Sequence, residues 1–186
     1  MSRAIFLDRD GTINREKHYL YRQEDFEWLP GAKEAIRIFG QLGYKVFIIT
    51  NQSGIARGYY TEEDVKKLHG WMDIELQRAG GRVDGYYYCP HHPTEGVSIY
   101  RRECDCRKPK AGLFWQAIRE HGITDLAGSW AVGDRVRDLE PAGEIGCRKA
   151  LVLTGEGRKE ETDVQGDIMA FDSIGVFAKW LEIGMD

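Results

Sequence analysis

Ala4-Ile5-Phe6-Leu7-Asp8-Arg9-Asp10-Gly11-Thr12 sets four apolar residues directly against two carboxylates and a glycine. An apolar run of this length with no polar face reads as a strand buried on both sides, the kind found in parallel sheets. Similar runs follow at Val46–Thr50, Trp130–Val132 and Ala150–Leu153, with an aromatic-rich fifth at Val83–Tyr88. Helical periodicity fills the gaps. Pro30-Gly31-Ala32 opens a helix through Ala35, Ile36 and Phe39 that closes near Gly40–Gly43. Thr61-Glu62-Glu63-Asp64 reads as a capping box ahead of Val65, Leu68, Met72 and Leu76, ending at Gly80. Ala111–His121 is closed by Gly122, a short helix is expected before Pro141, and Ile174–Leu181 carries a last apolar face. Strands alternating with helices predict a doubly wound α/β fold around a parallel sheet, expected as a single domain over residues 1–186.

Composition narrows the function classes. The chain has 186 residues, of which 42% are hydrophobic and 30% charged, and a formal net charge of −4. With a mean hydropathy of −0.49 it is expected to be a soluble globular protein. The acidic balance gives no general attraction for nucleic acid or an anionic membrane. No apolar run approaches the ~20 residues of a membrane span, and the residues after Met1 do not fit a secretory signal. A cytoplasmic location is expected, and there the four cysteines are more naturally thiols or metal ligands than disulfides.

In a doubly wound sheet, ligands bind beyond the carboxyl ends of the strands. Asp8 and Asp10, two apart on an extended segment, leave it on the same side. Carboxylates there suit a hard cation such as Mg²⁺, or a nucleophile toward phosphorus. Thr50-Asn51-Gln52-Ser53-Gly54 offers a hydroxyl and free N–H groups to phosphate, although it is also ordinary loop composition. Arg107-Lys108-Pro109 puts two cations ahead of a helix, which is tolerable if an anion lies between. Gly133-Asp134-Arg135-Val136-Arg137-Asp138 supplies two further carboxylates, which could instead only cap and start a helix.

Taken together, Asp8-x-Asp10-Gly11-Thr12, Thr50-Asn51, Lys108 and Gly133-Asp134-x-x-x-Asp138 resemble the motifs of the haloacid dehalogenase (HAD) superfamily of Mg²⁺-dependent phosphatases, over nearly the whole chain. The resemblance implies Asp8 as nucleophile and Asp10 as general acid and base. It implies Thr50 and Lys108 as contacts of the transferring phosphoryl group. Mg²⁺ would be held by Asp8, the Asp10 carbonyl and Asp134, with Asp138 an outer partner. The segments between motifs leave no room for a separate cap domain, so the Arg15–Tyr21 stretch and the loop before Lys108 are the expected covers.

That loop carries Cys89-x-His91, twelve residues, then Cys104-x-Cys106, two close pairs of soft ligands as tetrahedral Zn²⁺ requires. The alternative is four buried or loop residues without a metal. His92 fits less well than His91, and Cys147 reads as a core residue. A filled set of four would be structural, with the zinc loop spanning about 89–107. Capless members with this loop are similar to the heptose 1,7-bisphosphate 7-phosphatases and to the histidinol-phosphate phosphatases. The resemblance implies a substrate lining of Glu16, Lys17, His18, Tyr19, Thr50, Asn51, Gln52, Ser53, Arg107, Lys108 and Arg135. Arg107 would grip the second phosphate of a sugar bisphosphate, since a forked guanidinium suits it. Arg135 departs from the lysine common at its position in relatives. A monomer acting on a small phosphorylated sugar is the expectation. The alternatives are histidinol phosphate, a broad range of sugar phosphates, a DNA 3′-phosphatase and a zinc-dependent nucleic-acid-binding module.

Overall fold

The computed structural model describes residues 1–97, 99–163 and 166–184, so residue 98 of the expected zinc loop lies outside the description. Among the described residues six strands form one sheet: β1 (Arg3–Leu7), β2 (Tyr44–Asn51), β3 (Gly85–Cys89), β4 (Trp130–Gly133), β5 (Arg148–Val152) and β6 (Ile168–Phe171). All neighbours pair in parallel, in the order β3-β2-β1-β4-β5-β6. The chain order reverses at β1, which places the crevice of a doubly wound sheet beside its tip.

Helices cover both faces: α1 (Ala32–Gln41), α2 (Glu62–Arg78), α3 (Gly112–His121), α4 (Val136–Ile145), α5 (Gly157–Glu160) and α6 (Ile174–Glu182). The two-residue alternation of a strand divides the core between them. Ile5, Leu7, Val46, Ile48 and Val132 point into a cluster with α1, α2 and α6. Ala4, Phe6, Phe47, Ile49 and Ala131 point into a second cluster with α3 and α4. Ends form where the chemistry of the residues demands. Thr61 Oγ1 accepts from Asp64 N at 3.2 Å while the Asp64 carboxylate accepts from Thr61 N at 2.8 Å, the expected capping box. Gly122 closes α3 at φ 61°, ψ 47°.

Three sequence expectations need correction. α4 does not stop before Pro141 but runs through it to Ile145. Proline removes one backbone bond, and burial of Leu139, Ala142 and Ile145 against the sheet outweighs that loss. The aromatic strand starts at Gly85, because Asp84 turns its carboxylate back to accept from Val46 N. β6, absent from the sequence reading, is a four-residue strand, with Met169 and Ala170 exposed and Phe171 buried at its end.

Candidate active site and metal centre

Asp8 follows β1 and its backbone N–H donates to the Val132 carbonyl at 2.9 Å, so its position is fixed by the sheet itself. Gly11, at φ 88°, then reverses the chain; a Cβ there would land on the Asp134 carboxylate. Lys108 reaches the same place from the zinc-loop side. Its Nζ donates to Asp8 Oδ1 at 2.6 Å and to the Ile49 carbonyl at 2.7 Å, and lies 2.8 Å from Asp138 Oδ1. Asn51 clamps the lysine's main chain, accepting from Lys108 N and donating to Lys108 O, both at 3.1 Å. The anion expected beside the Arg107-Lys108 pair is therefore, for Lys108, supplied by the protein's own carboxylates.

Asp8, Asp134 and Asp138 each bring a carboxylate oxygen within 4.8 Å of the others. Burial, reinforced by Asp138, pushes Asp8 up to about 7. Burial, with Asp8 and Asp138 adding, pushes Asp134 up to about 8. Burial alone would pull Lys108 down, but Asp138 and Asp8 reverse it and hold the ammonium above the usual lysine range. Asp134 Oδ1 and Asp138 Oδ2 are buried without a hydrogen-bond partner. Crowded carboxylates with orphaned oxygens fit a hard divalent cation, whose charge would remove the repulsion. The Asp10 side chain lies outside this cluster. It accepts instead from Asn14 Nδ2 at 2.9 Å, from Gln52 Nε2 at 3.1 Å and from Arg9.

A narrow cavity of about 50 Å³ is lined by Asp8, Asp10, Glu16, Thr50, Asn51, Lys108, Arg135, Arg137 and Asp138. It shares Asp10, Glu16, Asn51, Arg135 and Arg137 with a wider one of about 180 Å³, which adds His18, Tyr19, Leu20, Gln52, Ser53 and Tyr60. His18 and Tyr19 hold φ of 46° and 56°, a left-handed pair in which neither residue is glycine. Such strain costs about 1–3 kcal/mol per residue and is typical of substrate loops. Two expected contacts sit elsewhere. Lys17 is absent from both linings and pairs with Glu27 at 3.5 Å. Arg107 donates to the His91 carbonyl at 3.2 Å and lines a separate pocket with Cys104 and Pro109. Burial pulls Arg107 below the usual arginine range, and the nearby Arg137 and Arg57 add to this.

Arg137 is a wall residue to which the sequence reading gave no role, quoting it only within the Gly133–Asp138 segment. Its signal was present: a cation two residues from Arg135, on the segment that brings Asp134. Gly155 was missed as well. At φ 54° it packs against Asp134 and Gly11, and a Cβ would strike the carboxylate.

At the tip of β3, Cys89, His91, Cys104 and Cys106 converge. Their sulfurs lie 3.2–3.6 Å apart, with His91 Nδ1 at 3.2 Å from Cys106 Sγ and 3.7 Å from Cys89 Sγ. Sulfurs ~2.3 Å from a tetrahedral centre would be about 3.8 Å apart, so the four atoms suit Zn²⁺ with a slight expansion. His92 turns away and accepts from Glu95 N at 3.0 Å. Cys147 is buried in the core of the α3/α4 face.

A doubly wound sheet with carboxylates and a buried lysine at the β1 tip defines a HAD-like phosphoryl-transfer enzyme. The HAD-hydrolase-like family model matches residues 105–175. The D-glycero-β-D-manno-heptose-1,7-bisphosphate 7-phosphatase of Haemophilus ducreyi is 45% identical over 169 residues, 90% of this chain and 92% of that protein. Its Escherichia coli K12 counterpart is 42% identical over 88% of this chain and 86% of its own length. The crystal structure of the D,D-heptose 1,7-bisphosphate phosphatase of B. bronchiseptica, complexed with magnesium and phosphate, superposes with a TM-score of 0.85. It is 35% identical and covers 96% of this chain and 97% of its own. This chain belongs to that family of heptose-bisphosphate phosphatases within the HAD-like hydrolases.

Proposed function

We propose that residues 1–186 act as one catalytic domain that removes the 7-phosphate of D-glycero-D-manno-heptose 1,7-bisphosphate. The observation that carries the reading is the Asp8–Lys108 pair, set among three crowded carboxylates at the floor of a cleft whose wall holds Arg135 and Arg137. Asp8 Oδ attacks the 7-phosphorus; the P–O bond to the sugar breaks, and Asp10 gives its proton to the departing oxygen. Asp10, now a carboxylate, takes a proton from water as the water oxygen attacks phosphorus. The Asp8–phosphorus bond then breaks and inorganic phosphate leaves. Thr50 and Lys108 hold the transferring oxygens, and Lys108 offsets their charge. A Mg²⁺ held by Asp8, Asp134 and the Asp10 carbonyl, with Asp138 behind it, would supply further positive charge against the phosphate.

Glu16, His18, Tyr19, Gln52 and Ser53 would line the sugar, and Arg135 would serve the second phosphate together with Arg107, once its guanidinium leaves the His91 carbonyl and turns into the cleft. Zinc on Cys89, His91, Cys104 and Cys106 would act structurally, tying down the segment that leads into Arg107 and Lys108. No described helix is long and apolar enough to cross a membrane. The same proposal places the enzyme in the cytoplasm as a monomer, with neither nucleic acid nor membrane as partner. Histidinol phosphate is the weaker reading, because its ammonium would face Arg135 and Arg137.

The test is kcat/KM for phosphate release from heptose 1,7-bisphosphate and from histidinol phosphate, with Mg²⁺. A preference of at least ~100-fold for the bisphosphate, about 2.7 kcal/mol at the transition state, is expected. The opposite preference would overturn the substrate assignment and leave the Asp8 chemistry standing.

A further inference from the structure

We propose that Arg9 is the positioning residue for Asp10, holding the acid–base carboxylate in its working orientation through a buried guanidinium fork. The inference rests on the reading of Asp10 as proton donor and acceptor. Arg9 is among the largest fully buried side chains, at 0% exposure. Its Nε and Nη2 both donate to Asp10 Oδ2, at 3.1 and 2.9 Å, and Nη2 also reaches Oδ1 at 3.1 Å. The remaining edge donates to the Leu20 carbonyl at 3.0 Å and faces His69 Nε2 at 3.4 Å.

Burying a guanidinium costs several kcal/mol unless its partners return that energy. A pair between adjacent residues cross-links nothing distant, so its contribution to holding the fold closed is small. What it does fix is the Asp10 side chain. The sequence alternation supports this: Asp8 and Asp10 share one side of the extended segment, and Arg9 must point to the other, into the core. From there the fork wraps back to the carboxylate. Asn14 donates to Oδ1 and Gln52 to Oδ2, and Gln52 is itself held by the Tyr60 hydroxyl at 2.7 Å. Leu20 ends the loop that carries Glu16, His18 and Tyr19, so the same guanidinium couples the orientation of Asp10 to the substrate wall. Errors of about 1 Å in such placement cost on the order of 10²-fold in rate.

The experiment compares Arg9→Met and Arg9→Lys with the unmodified chain on two esters. One is the sugar bisphosphate, whose alkoxide needs a proton to leave. The other is 4-nitrophenyl phosphate, whose phenolate leaves without one. Because kcat/KM reports the steps through P–O cleavage, a positioning fault in Asp10 strikes the first ester selectively. Arg9→Met should lose about 10²-fold on the bisphosphate, at least tenfold more than on the aryl ester. A burst of 4-nitrophenolate should appear, because hydrolysis of the phosphorylated Asp8 still needs Asp10 as base.

Parallel losses on both esters, without a burst, would show a merely structural role and overturn the proposal. Arg9→Lys keeps the charge without the fork and should show the same split; loss of the split in that variant would overturn the fork. Should neither variant fold by circular dichroism, Asn14→Ala decides. It removes a donor to Asp10 Oδ1 and should show a smaller split of the same sign, whereas equal losses would overturn the cradle. If the unmodified chain hydrolyses neither ester, or Asp8→Asn leaves turnover intact, it is the Asp8/Asp10 reading that has failed, and the role of Arg9 falls with it.

Discussion

Lys108 Nζ lies 2.6 Å from Asp8 Oδ1 and 2.8 Å from Asp138 Oδ1, so one ammonium is shared between the β1 tip and the first turn of α4. With Asp134 alongside, three carboxylates face one cation, and the imbalance suits the arrival of a divalent metal. Removing the ammonium should therefore damage both function and fold. Lys108→Met is expected to lower kcat by about 10²–10³-fold and to destabilise the metal-free protein, by up to about 3–5 kcal/mol. Asp8→Asn should separate the two effects: turnover is lost, while the metal-free thermal midpoint stays level or rises because one repelling charge is gone. Melting curves and steady-state rates on the same preparations check this, and an Asp8→Asn protein clearly less stable than the parent would contradict it.

Gly155→Ala should act on the metal site from a distance in sequence. Its Cβ would strike the Asp134 carboxylate and lie 2.8 Å from Gly11 Cα. Asp134 would have to move, losing its bond from Glu156 N at 2.9 Å. The expected outcome is weaker Mg²⁺ activation, read as a rise of tenfold or more in the Mg²⁺ concentration for half-maximal rate. An unchanged Mg²⁺ dependence would remove Gly155 from the account.

For the zinc loop, Cys104→Ala should abolish stoichiometric zinc, lower the melting temperature and impair activity, because the metal organises the segment leading into Lys108. Cys147→Ser is the control: it lies in the apolar core and should keep its zinc. Elemental analysis and melting curves on both variants check the assignment. Full zinc content in Cys104→Ala would refute that ligand.

The fold was legible where apolar runs met punctuation. Ile5–Leu7 before Asp8, the Thr61 capping box and Gly122 after α3 each carry a local physical cause. β6 was not legible, because four residues with two exposed leave almost no periodic signal. The site followed the same division. Asp8, Lys108, Asp134 and the four zinc-set residues sit at strand tips or in close pairs, and the structure brings them together. Directions of long side chains were beyond the sequence. Arg107 and Arg137 are both cations near the cleft, yet only the three-dimensional course of α4 turns Arg137 into its wall. Arg9 is only the unspecified position of Asp8-x-Asp10 in the sequence, because a side chain that folds back onto its neighbour leaves no periodic signal.

His69 gives the fold a pH dependence with a definite sign. It is buried and stacked on Tyr86 with centroids 4.6 Å apart, and its Nε2 faces the Arg9 guanidinium. Burial, with the Arg9 charge adding, holds it well below the usual histidine range, so the folded protein keeps it neutral. The unfolded chain protonates it below about pH 6.5. Above that pH neither state binds the proton and stability is unaffected. As pH falls below 6.5 the unfolded state gains a proton that the folded state refuses, and stability drops by about 1.4 kcal/mol per unit until the folded group titrates. His69→Phe keeps the stacked ring and abolishes this slope. At pH 7 the variant should be less stable by about 1–3 kcal/mol, because Arg9 Nη1 loses its acceptor. Between pH 6.5 and 5 that deficit should shrink by roughly 2 kcal/mol, as the parent alone bears the histidine penalty. Denaturant unfolding of both proteins at several pH values checks this, since their other carboxylates and histidines cancel in the difference. A constant gap across that range would mean that His69 takes up its proton in the folded state.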